Sequence, residues 1–319
     1  MNFQEFKTTI NGQDLVVKKS CLAGQTNSSL LIQMGETELL SVAVMGKDDK
    51  LDCDFMPLTV EYTEKYYAAG KIYGSRFIRR EGRPTDNAIL TGRLIDRTLR
   101  PLFNDKLRRE INLILTCLSI DESNDPDFLG IIGASLALGT SDIPWSGPVG
   151  AIRIGYDGKD FIINPDYAMR ESLVLDLLVA GTEDYVNMIE ANANEVGEDI
   201  VLEALKIAEK EIKTICVFEK EIIKAIGKQK TDVTLQEIPE SFVSEVSKLA
   251  YDKLGEILFS TKTKEEKSVL TSDLIGEIAM QLKYDFEDDL KYLNLIIDEI
   301  TNDIVHKKAL KEGLRPDGR

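Results

Sequence analysis

The sequence has very little histidine, cysteine or tryptophan. Among its 319 residues there is one histidine, one tryptophan and four cysteines, and the cysteines lie far apart. A single histidine argues against most histidine metal sites and most histidine-based catalytic triads. Because the cysteines form no CxxC pair, neither a zinc ribbon nor a disulfide framework is predicted, and a reduced protein is expected.

Long apolar runs are absent as well. No stretch reaches the ~18 apolar residues of a membrane span, and the first ten residues contain no apolar signal core. We therefore predict a cytoplasmic protein that does not contact a membrane. With 43% apolar and 29% charged residues, the composition is globular and excludes a fibrous or wholly disordered chain.

The charge is distributed unevenly along the chain. A formal net charge of −16 would ordinarily argue against nucleic-acid binding. However, nine of the thirteen arginines fall between Arg76 and Arg109, a window of net charge +6, which leaves −22 for the remaining residues. This segregation predicts a local electropositive site that favours a confined anionic ligand over general adhesion to polyanions.

The apolar pattern divides the chain into an α/β part and a helical part. Strands are predicted up to about residue 65, with a turn at Asn11-Gly12, and a loop marked by glycines precedes a helix over Asp86–Leu99. A strand is predicted over residues 111–120, a helix rich in small residues over 129–138 and a hairpin over 151–163. Two further strands are predicted within 174–190, and a long amphipathic helix over 198–226.

A polar segment without periodicity, residues 227–240, is predicted to be a linker. Helices are predicted beyond it at 241–259, 272–281 and 285–311, with Gly313 as the C-terminal stop. We therefore predict a core domain over residues 1–226, the linker over 227–240 and an all-helical domain over 241–311. Residues 312–319 are interpreted as the start of a linker to a second core.

The stretch FIRREGRP at residues 77–84 places three guanidinium groups and an aromatic ring in one loop. Arg79, Arg80 and Arg83 can each bind phosphate oxygens with a planar fork, and Phe77 offers a face on which a base could stack. Single-stranded nucleic acid presents phosphates and unstacked bases together. The alternative is a solvated surface loop in which Glu81 neutralises one arginine.

Three further arginines share one face of the helix that follows. Arg93, Arg97 and Arg100 recur at i, i+4 and i+7. Like charges at this spacing oppose helix stability, which favours a phosphate-binding face. Asp96 can pair with Arg93 or Arg100 but cannot neutralise all three, and a solvated face is the alternative.

Carboxylates are abundant but poorly arranged for catalysis. Asp127, near the start of the small-residue helix, is interpreted as a cap that stabilises the helix dipole. Asp176 interrupts an apolar strand and has no visible basic partner. No acid–base pair follows from the sequence alone.

Several long, collinear motifs resemble the first half of bacterial polynucleotide phosphorylases. The likeness covers the whole chain: a first RNase PH-like core, the helical domain and the junction to a second core. The motifs are FIRREGRP at 77–84, RLIDR at 93–97 with RPLF at 100–103, IGAS at 132–135, YAAG at 67–70, LDLLVAG at 175–181 and RPDGR at 315–319.

The resemblance implies an α/β (α+β) core of the RNase PH type, ribosomal protein S5 domain 2-like, followed by an all-α domain. It implies a homotrimeric ring through which single-stranded RNA threads, and 3′→5′ phosphorolysis of that RNA to nucleoside diphosphates in mRNA turnover. Inorganic phosphate is then the co-substrate, magnesium assists, and RNA-degradation proteins are possible partners. In this family the phosphate-binding serines and the metal-binding acids belong to the second core.

Two departures from the catalytic repeat lie in this half. Residues 124–127 stand where the catalytic repeat has a serine-rich phosphate loop, and Leu178 stands where it has a lysine two residues after the aspartate that matches Asp176. We therefore expect this chain alone to bind RNA and to be inactive, with no catalytic residue and no metal ligand of its own.

The expected site residues follow from the two arginine-rich motifs. Arg93, Arg97 and Arg100 are expected to support the active site. The alternatives are a stand-alone RNA-binding module and a structural scaffold whose arginines are paired internally. The residues expected to bind RNA are Phe77, Arg79, Arg80, Arg83, Arg93, Arg97, Arg100 and Arg319.

Overall fold

The chain consists of two compact units, Met1–Thr234 and Leu235–Arg319. Its structure is a computed structural model, which describes residues 4–19, 22–50, 53, 55–72, 74, 82–121, 123–233, 235 and 237–319. The first unit contains two β-sheets and the second is built from helices. The division between them falls inside the polar segment 227–240.

The first unit begins with a six-stranded sheet in the spatial order β1-β2-β3-β4-β6-β5. Neighbouring strands are antiparallel except β5 and β6, which run parallel. Asn11 and Gly12 both have positive φ, 47° and 79°, so the predicted hairpin turn is confirmed as type I′. The strands are β1 (Glu5–Ile10), β2 (Gln13–Lys19), β3 (Ser28–Met34), β4 (Thr37–Asp49), β5 (Leu58–Glu64) and β6 (Arg109–Ser119).

Helix α1 (Asp86–Leu99) lies in the crossover between the parallel strands β5 and β6 and has the predicted bounds. It begins after Thr85, whose hydroxyl accepts a hydrogen bond from the Ala88 amide at 3.2 Å. Gly92 brings the helix close to β5, because a Cβ at this position would lie 3.3 Å from the Val60 carbonyl oxygen. The glycine therefore allows α1 to pack directly on β5.

A second, four-stranded antiparallel sheet follows in the order β10-β9-β7-β8. The predicted strands are confirmed, but a one-turn helix between β8 and β9 was not predicted. The long amphipathic helix packs on β7 and β9. These elements are β7 (Gly150–Tyr156), β8 (Phe161–Ile163), α3 (Tyr167–Arg170), β9 (Leu175–Gly181), β10 (Val186–Ala193) and α4 (Glu198–Ile226).

Helix α2 (Pro126–Thr140) forms the centre of the first unit and is buried along nearly its whole length. It packs against β3 and β4 of one sheet, β7 of the other, and α4. A Cβ at Gly133 would lie 2.3 Å from the Ser41 hydroxyl, so close packing explains the small residues of this helix. The helix starts three residues before the predicted start, because Asp125 caps it.

The polar segment that follows α4 is attached to the first unit. The Lys228 amide donates to the Thr140 carbonyl at 3.1 Å. The Lys230 ammonium donates to three carbonyls at the C-terminal end of α2, where cations are favoured by the helix dipole. Those carbonyls belong to Leu138, Gly139 and Ser141, at 2.8, 3.1 and 2.9 Å. The residues predicted as a linker thus include contacts that the sequence pattern does not reveal.

The second unit packs three helices around a core that includes Phe242 and Ile296. Its middle helix begins eight residues before the predicted start, because Thr263 and Glu266 form a capping box. None of the described helices is long and apolar enough to cross a membrane. The elements are α5 (Glu240–Leu258), α6 (Lys264–Leu282), a 3₁₀ helix (Glu287–Tyr292) and α7 (Leu293–Glu312).

Candidate functional site

A cleft of about 1200 Å³ opens on the first unit beside α1. One wall comes from β5 and the exposed face of α1, and the other residues come from the start of α2, from α3 and from β10. Charged side chains of both signs line the cleft. The guanidinium groups are Arg93, Arg97, Arg100 and Arg170, and the carboxylates are Glu64, Asp96, Asp125, Asp127 and Glu190.

The structure brings together only part of the predicted site. Arg93, Arg97 and Arg100 line this cleft from one face of α1. Arg83 is exposed in the loop before α1. Arg319 lies on the second unit, where its Nε donates to Asp317 at 2.8 Å within an exposed turn. Three other predicted residues, Phe77, Arg79 and Arg80, lie outside the described residues.

Arg93 and Arg97 have cationic groups that an anionic ligand could reach. Arg93 is exposed and makes no ion pair with any residue that the structure describes. Arg97 Nη2 lies 2.5 Å from Glu190 Oε2 and 3.4 Å from Met188 Sδ. Because the Arg97 and Glu190 side chains are both more than half exposed, this ion pair contributes at most about 1 kcal/mol, and a phosphate could replace the glutamate.

The Arg100 guanidinium forms hydrogen bonds within the fold. It donates to both oxygens of Asp96, at 2.7 and 3.0 Å, so Asp96 pairs with Arg100 and not with Arg93. It also donates to the carbonyls of Met56 and Leu58 at 2.8 and 3.1 Å. These bonds attach the end of α1 to β5, and RNA binding by Arg100 stays a prediction.

A buried ion-pair network lies at the floor of the cleft. Arg153, on β7, donates to Asp176 at 2.9 Å and to Asp127 at 2.8 Å, and its Nη2 lies 3.2 Å from Asp125. Arg170, on α3, pairs with Asp125 and donates to Asp176 at 3.0 Å. Two guanidinium groups therefore hold three carboxylates.

This network corrects two interpretations made from the sequence. Asp176 was assigned no basic partner, but it has two, Arg153 and Arg170. Asp127 is not the cap of α2, because the Asp125 carboxylate accepts from the Asp127 amide at 3.2 Å, and Asp127 instead pairs with Arg153. The pairs made by Arg153 join β7 to β9 and α2, which are distant in sequence, whereas the true cap lies two residues before Asp127.

The amides at the start of α2 are bonded to carboxylates of the protein itself. Asp121 accepts from the amides of Glu36, Ser123 and Asn124 at 2.6 to 2.9 Å. Although desolvation by burial opposes it, these bonds lower the pKa of Asp121. The Asp127 amide, in the first turn of α2, is bonded in the same way to Asp125. Carboxylates of the protein therefore bind amides at and just before a helix N-terminus, where a phosphate would otherwise be attracted.

The same aspartates do not fit a magnesium site. A hard cation needs carboxylate oxygens that can turn towards it. Asp125, Asp127 and Asp176 are already bonded to Arg153 and Arg170, and a second positive charge would be repelled. In the described parts of the chain, no cluster of three or more histidine, cysteine or acidic side chains could hold a metal ion.

Four residues of this cleft region were missed by sequence reasoning, namely Tyr167, Arg170, Glu190 and Arg153. One signal was available, because Arg153 and Asp176 are opposite charges that interrupt two apolar strands. The register places Arg153 opposite Leu178, two residues from Asp176, so the two side chains lie on the same face of the sheet.

The two sheets of the first unit correspond to two family domains. Residues 12–144 match the 3′ exoribonuclease family, domain 1, and residues 147–211 match domain 2 of the same family. The chain belongs to the 3′ exoribonuclease family. Domain 1 includes strands β2 to β6 of the six-stranded sheet, α1 and α2, and domain 2 includes the second sheet, so the cleft is built from both.

Curated relatives of this family match nearly the whole chain. It is 41% identical over 318 residues to a polyribonucleotide nucleotidyltransferase of Oceanobacillus iheyensis, covering 99% of the chain and 45% of that protein. Enzymes of the same name from Alkaliphilus oremlandii and Bacillus subtilis are 43% and 40% identical, covering 99% and 97% of the chain and 45% and 44% of their own length. The predicted resemblance is confirmed, and the chain spans slightly less than half the length of these relatives.

Proposed function

We propose that this chain is the RNA-binding half of a phosphorolytic 3′→5′ exoribonuclease that degrades RNA to nucleoside diphosphates. In this proposal the described cleft holds the phosphate backbone of single-stranded RNA, and a second core supplies the phosphate site and the metal. The observation that carries the proposal is the exposed pair Arg93 and Arg97 in a cleft large enough for an extended chain.

In this proposal the chain positions the RNA, and the second core carries out the phosphorolysis. Phosphoryl transfer needs mainly orientation and charge neutralisation, so arginines can affect turnover without transferring a proton. Arg93 is free to bind phosphate and Arg97 can exchange Glu190 for it, since guanidinium groups bind phosphate bidentately. Contacts to phosphate fix the position of the strand without reading its sequence.

Catalytic inactivity of the chain alone is the second part of the proposal. The phosphate donors at the start of α2 are bonded to Asp121 and Asp125. Asp176 is held by two arginines and therefore cannot act as a free base or a metal ligand. Both arrangements support a first core that binds substrate and does not cleave it.

The chain is expected to bind single-stranded RNA with a marked salt dependence. The logarithm of the association constant should fall with the logarithm of salt concentration by about 0.7 per phosphate contact. Arg93→Ala should weaken binding about 2- to 10-fold and reduce the slope by about 0.7, because it removes one contact. Fluorescence anisotropy with a labelled oligoadenylate at several salt concentrations measures both quantities.

The matched control for Arg93→Ala is Lys159→Ala. Lys159 lies in the exposed turn between β7 and β8, outside the cleft, and its removal changes the net charge equally. Equal losses in the two variants would show that binding is non-specific. Absence of RNA binding by the unaltered chain would contradict the proposal and favour the scaffold alternative.

The purified chain is expected to release no ADP from poly(A) in the presence of phosphate and magnesium. The physical reason is the occupied donor set at α2 and the paired Asp176. An active polynucleotide phosphorylase serves as the positive control in the same assay. Phosphate-dependent ADP release that disappears in the Asp176→Asn variant would show instead that the first core is catalytic.

Other properties implied by the resemblance stay predictions. They are a homotrimeric ring, magnesium bound by a second core, a cytoplasmic location, a function in mRNA turnover and RNA-degradation partner proteins. Arg319 and the loop residues Phe77, Arg79, Arg80 and Arg83 likewise stay predicted RNA contacts.

A further inference from the structure

Tyr167 is an aromatic residue in the cleft that the RNA-binding proposal does not yet use. It begins the one-turn helix α3 and is 41% exposed, although its hydroxyl lies 3.3 Å from Asp125 Oδ1. Tyr167 therefore presents an aromatic surface to the same cleft as Arg93 and Arg97.

The ring is held in place from two directions. The hydroxyl donates to Asp125, and the Arg170 guanidinium lies 5.4 Å from the ring centroid as a cation–π contact. Arg170 is in turn fixed by its bonds to Asp125 and Asp176. A flat aromatic surface that is immobilised in this way loses little conformational entropy when a ligand stacks on it.

The phenol is also kept neutral. Burial and the neighbouring Asp125 carboxylate raise the pKa of Tyr167 well above its usual value. A neutral ring can approach a polyanion without the repulsion that a phenolate would add. The Asp125 carboxylate beside the ring balances the charge of Arg153 and Arg170, so this part of the cleft should attract phosphate less than exposed Arg93 does.

We propose that Tyr167 is a stacking platform for one nucleobase of the bound RNA strand. This inference rests on the proposed function, in which Arg93 and Arg97 bind the phosphates of that strand. A nucleotide has an anionic end and a neutral aromatic end, and the cleft offers arginines on α1 and a neutral ring on α3. The arginines on α1 thus match the anionic phosphate, and the neutral ring matches the neutral base.

The experiment uses the full 319-residue chain and an oligoadenylate that contains 2-aminopurine, whose fluorescence is quenched on stacking. Tyr167→Leu should weaken binding about 5- to 100-fold and remove the quenching, because a base–aromatic stack is lost. Tyr167→Phe keeps the ring and should retain most of the quenching. Tyr185→Leu is the control, since Tyr185 is 54% exposed and lies outside the cleft.

A second measurement changes the RNA. Replacing one nucleotide of the RNA by an abasic unit keeps the phosphate and removes the base. The unaltered protein should bind the oligonucleotide more weakly when the abasic unit occupies the stacking position, and the Tyr167→Leu protein should lose nothing further. Circular dichroism would reveal whether Tyr167→Leu fails to fold. In that case the abasic oligonucleotide still tests for base stacking, because its weaker binding is measured with the unaltered protein.

The possible failures are distinguishable. If the unaltered chain binds RNA and Tyr167→Leu binds it equally well, with the quenching retained, the stacking proposal is wrong and the RNA-binding proposal stands. If the abasic unit costs nothing at any position, stacking is again excluded. If the unaltered chain binds no RNA, both proposals are wrong.

Discussion

Replacing Arg153 with methionine is expected to destabilise the first unit by about 3–5 kcal/mol. Arg153 is 6% exposed, and its fork bonds to Asp125, Asp127 and Asp176. Without it, Arg170 still pairs with Asp125 and Asp176, but Asp127 has no arginine partner among the described residues, and a buried charge without a partner is costly. Denaturant unfolding followed by circular dichroism, compared with the unaltered protein, measures the loss.

Two further variants test whether the loss comes from the network. Arg109→Met removes an arginine whose partner Asp49 lies at 2.9 Å in a more exposed pair, and the loss should be smaller. Adding Asp127→Asn to Arg153→Met should recover part of the stability, because Asp127 is the carboxylate that loses its arginine partner among the described residues. Equal losses for the two arginines and no recovery in the double variant would show that the network contributes little.

Glu219→Gln is expected to change how stability depends on pH. Glu219 is fully buried on α4, where the Ser135 hydroxyl donates to its Oε2 at 2.5 Å and accepts from the Val149 amide at 2.9 Å. Its Oε1 has no hydrogen-bond partner among the residues that the structure describes. Desolvation by burial raises the pKa of Glu219 well above the ordinary value of 4.5, although the bond from Ser135 opposes this shift.

The direction of the pH effect follows from proton binding. Native Glu219 holds a proton that the unfolded chain releases above the unfolded pKa. From there upwards, the free energy of unfolding falls by as much as about 1.4 kcal/mol per pH unit, until the native carboxyl ionises. Glutamine binds no such proton, so the stability of the variant relative to the unaltered protein should rise with pH and be greatest at alkaline pH.

Unfolding curves over a range of pH provide the measurement. Glu221→Gln is the matched control, since Glu221 is an exposed glutamate on the same helix and its replacement should not alter the pH dependence. All other titrating groups are shared, so the difference between the curves isolates Glu219. Parallel curves for Glu219→Gln and the unaltered protein would contradict the assignment of a protonated carboxyl.

The elements with a strong local pattern were predicted well from the sequence. Helix α1 (Asp86–Leu99) has the expected bounds, because its apolar spacing and the following Pro101 both act locally. The start of α6 was missed although Thr263 and Glu266, a capping pair, were visible in the sequence. Because the apolar periodicity of α6 is weak, the capping pair indicates the start of this helix more strongly.

The site was less predictable, because its charges are paired over long sequence distances. Arg153 meets Asp176 only because β7 and β9 are neighbours with a particular register. The arginines on one face of α1 were predicted from their spacing. However, Arg93 is exposed whereas Arg100 bonds to two backbone carbonyls, and this difference depends on where β5 lies. Glu219 had a detectable signal, since it falls on the apolar face of α4 between Ile215 and Ile222.

The bonds of Arg100 have a consequence for self-association. β5 is the last strand of its sheet, and its Pro57 carbonyl accepts from Ile111 of β6. The Met56 and Leu58 carbonyls alternate with it and are bonded by Arg100. An exposed strand edge is a template for intermolecular pairing, and such pairing leads to aggregation. At the start of β5, two of the acceptors that a foreign strand would use are therefore already occupied by the protein's own arginine.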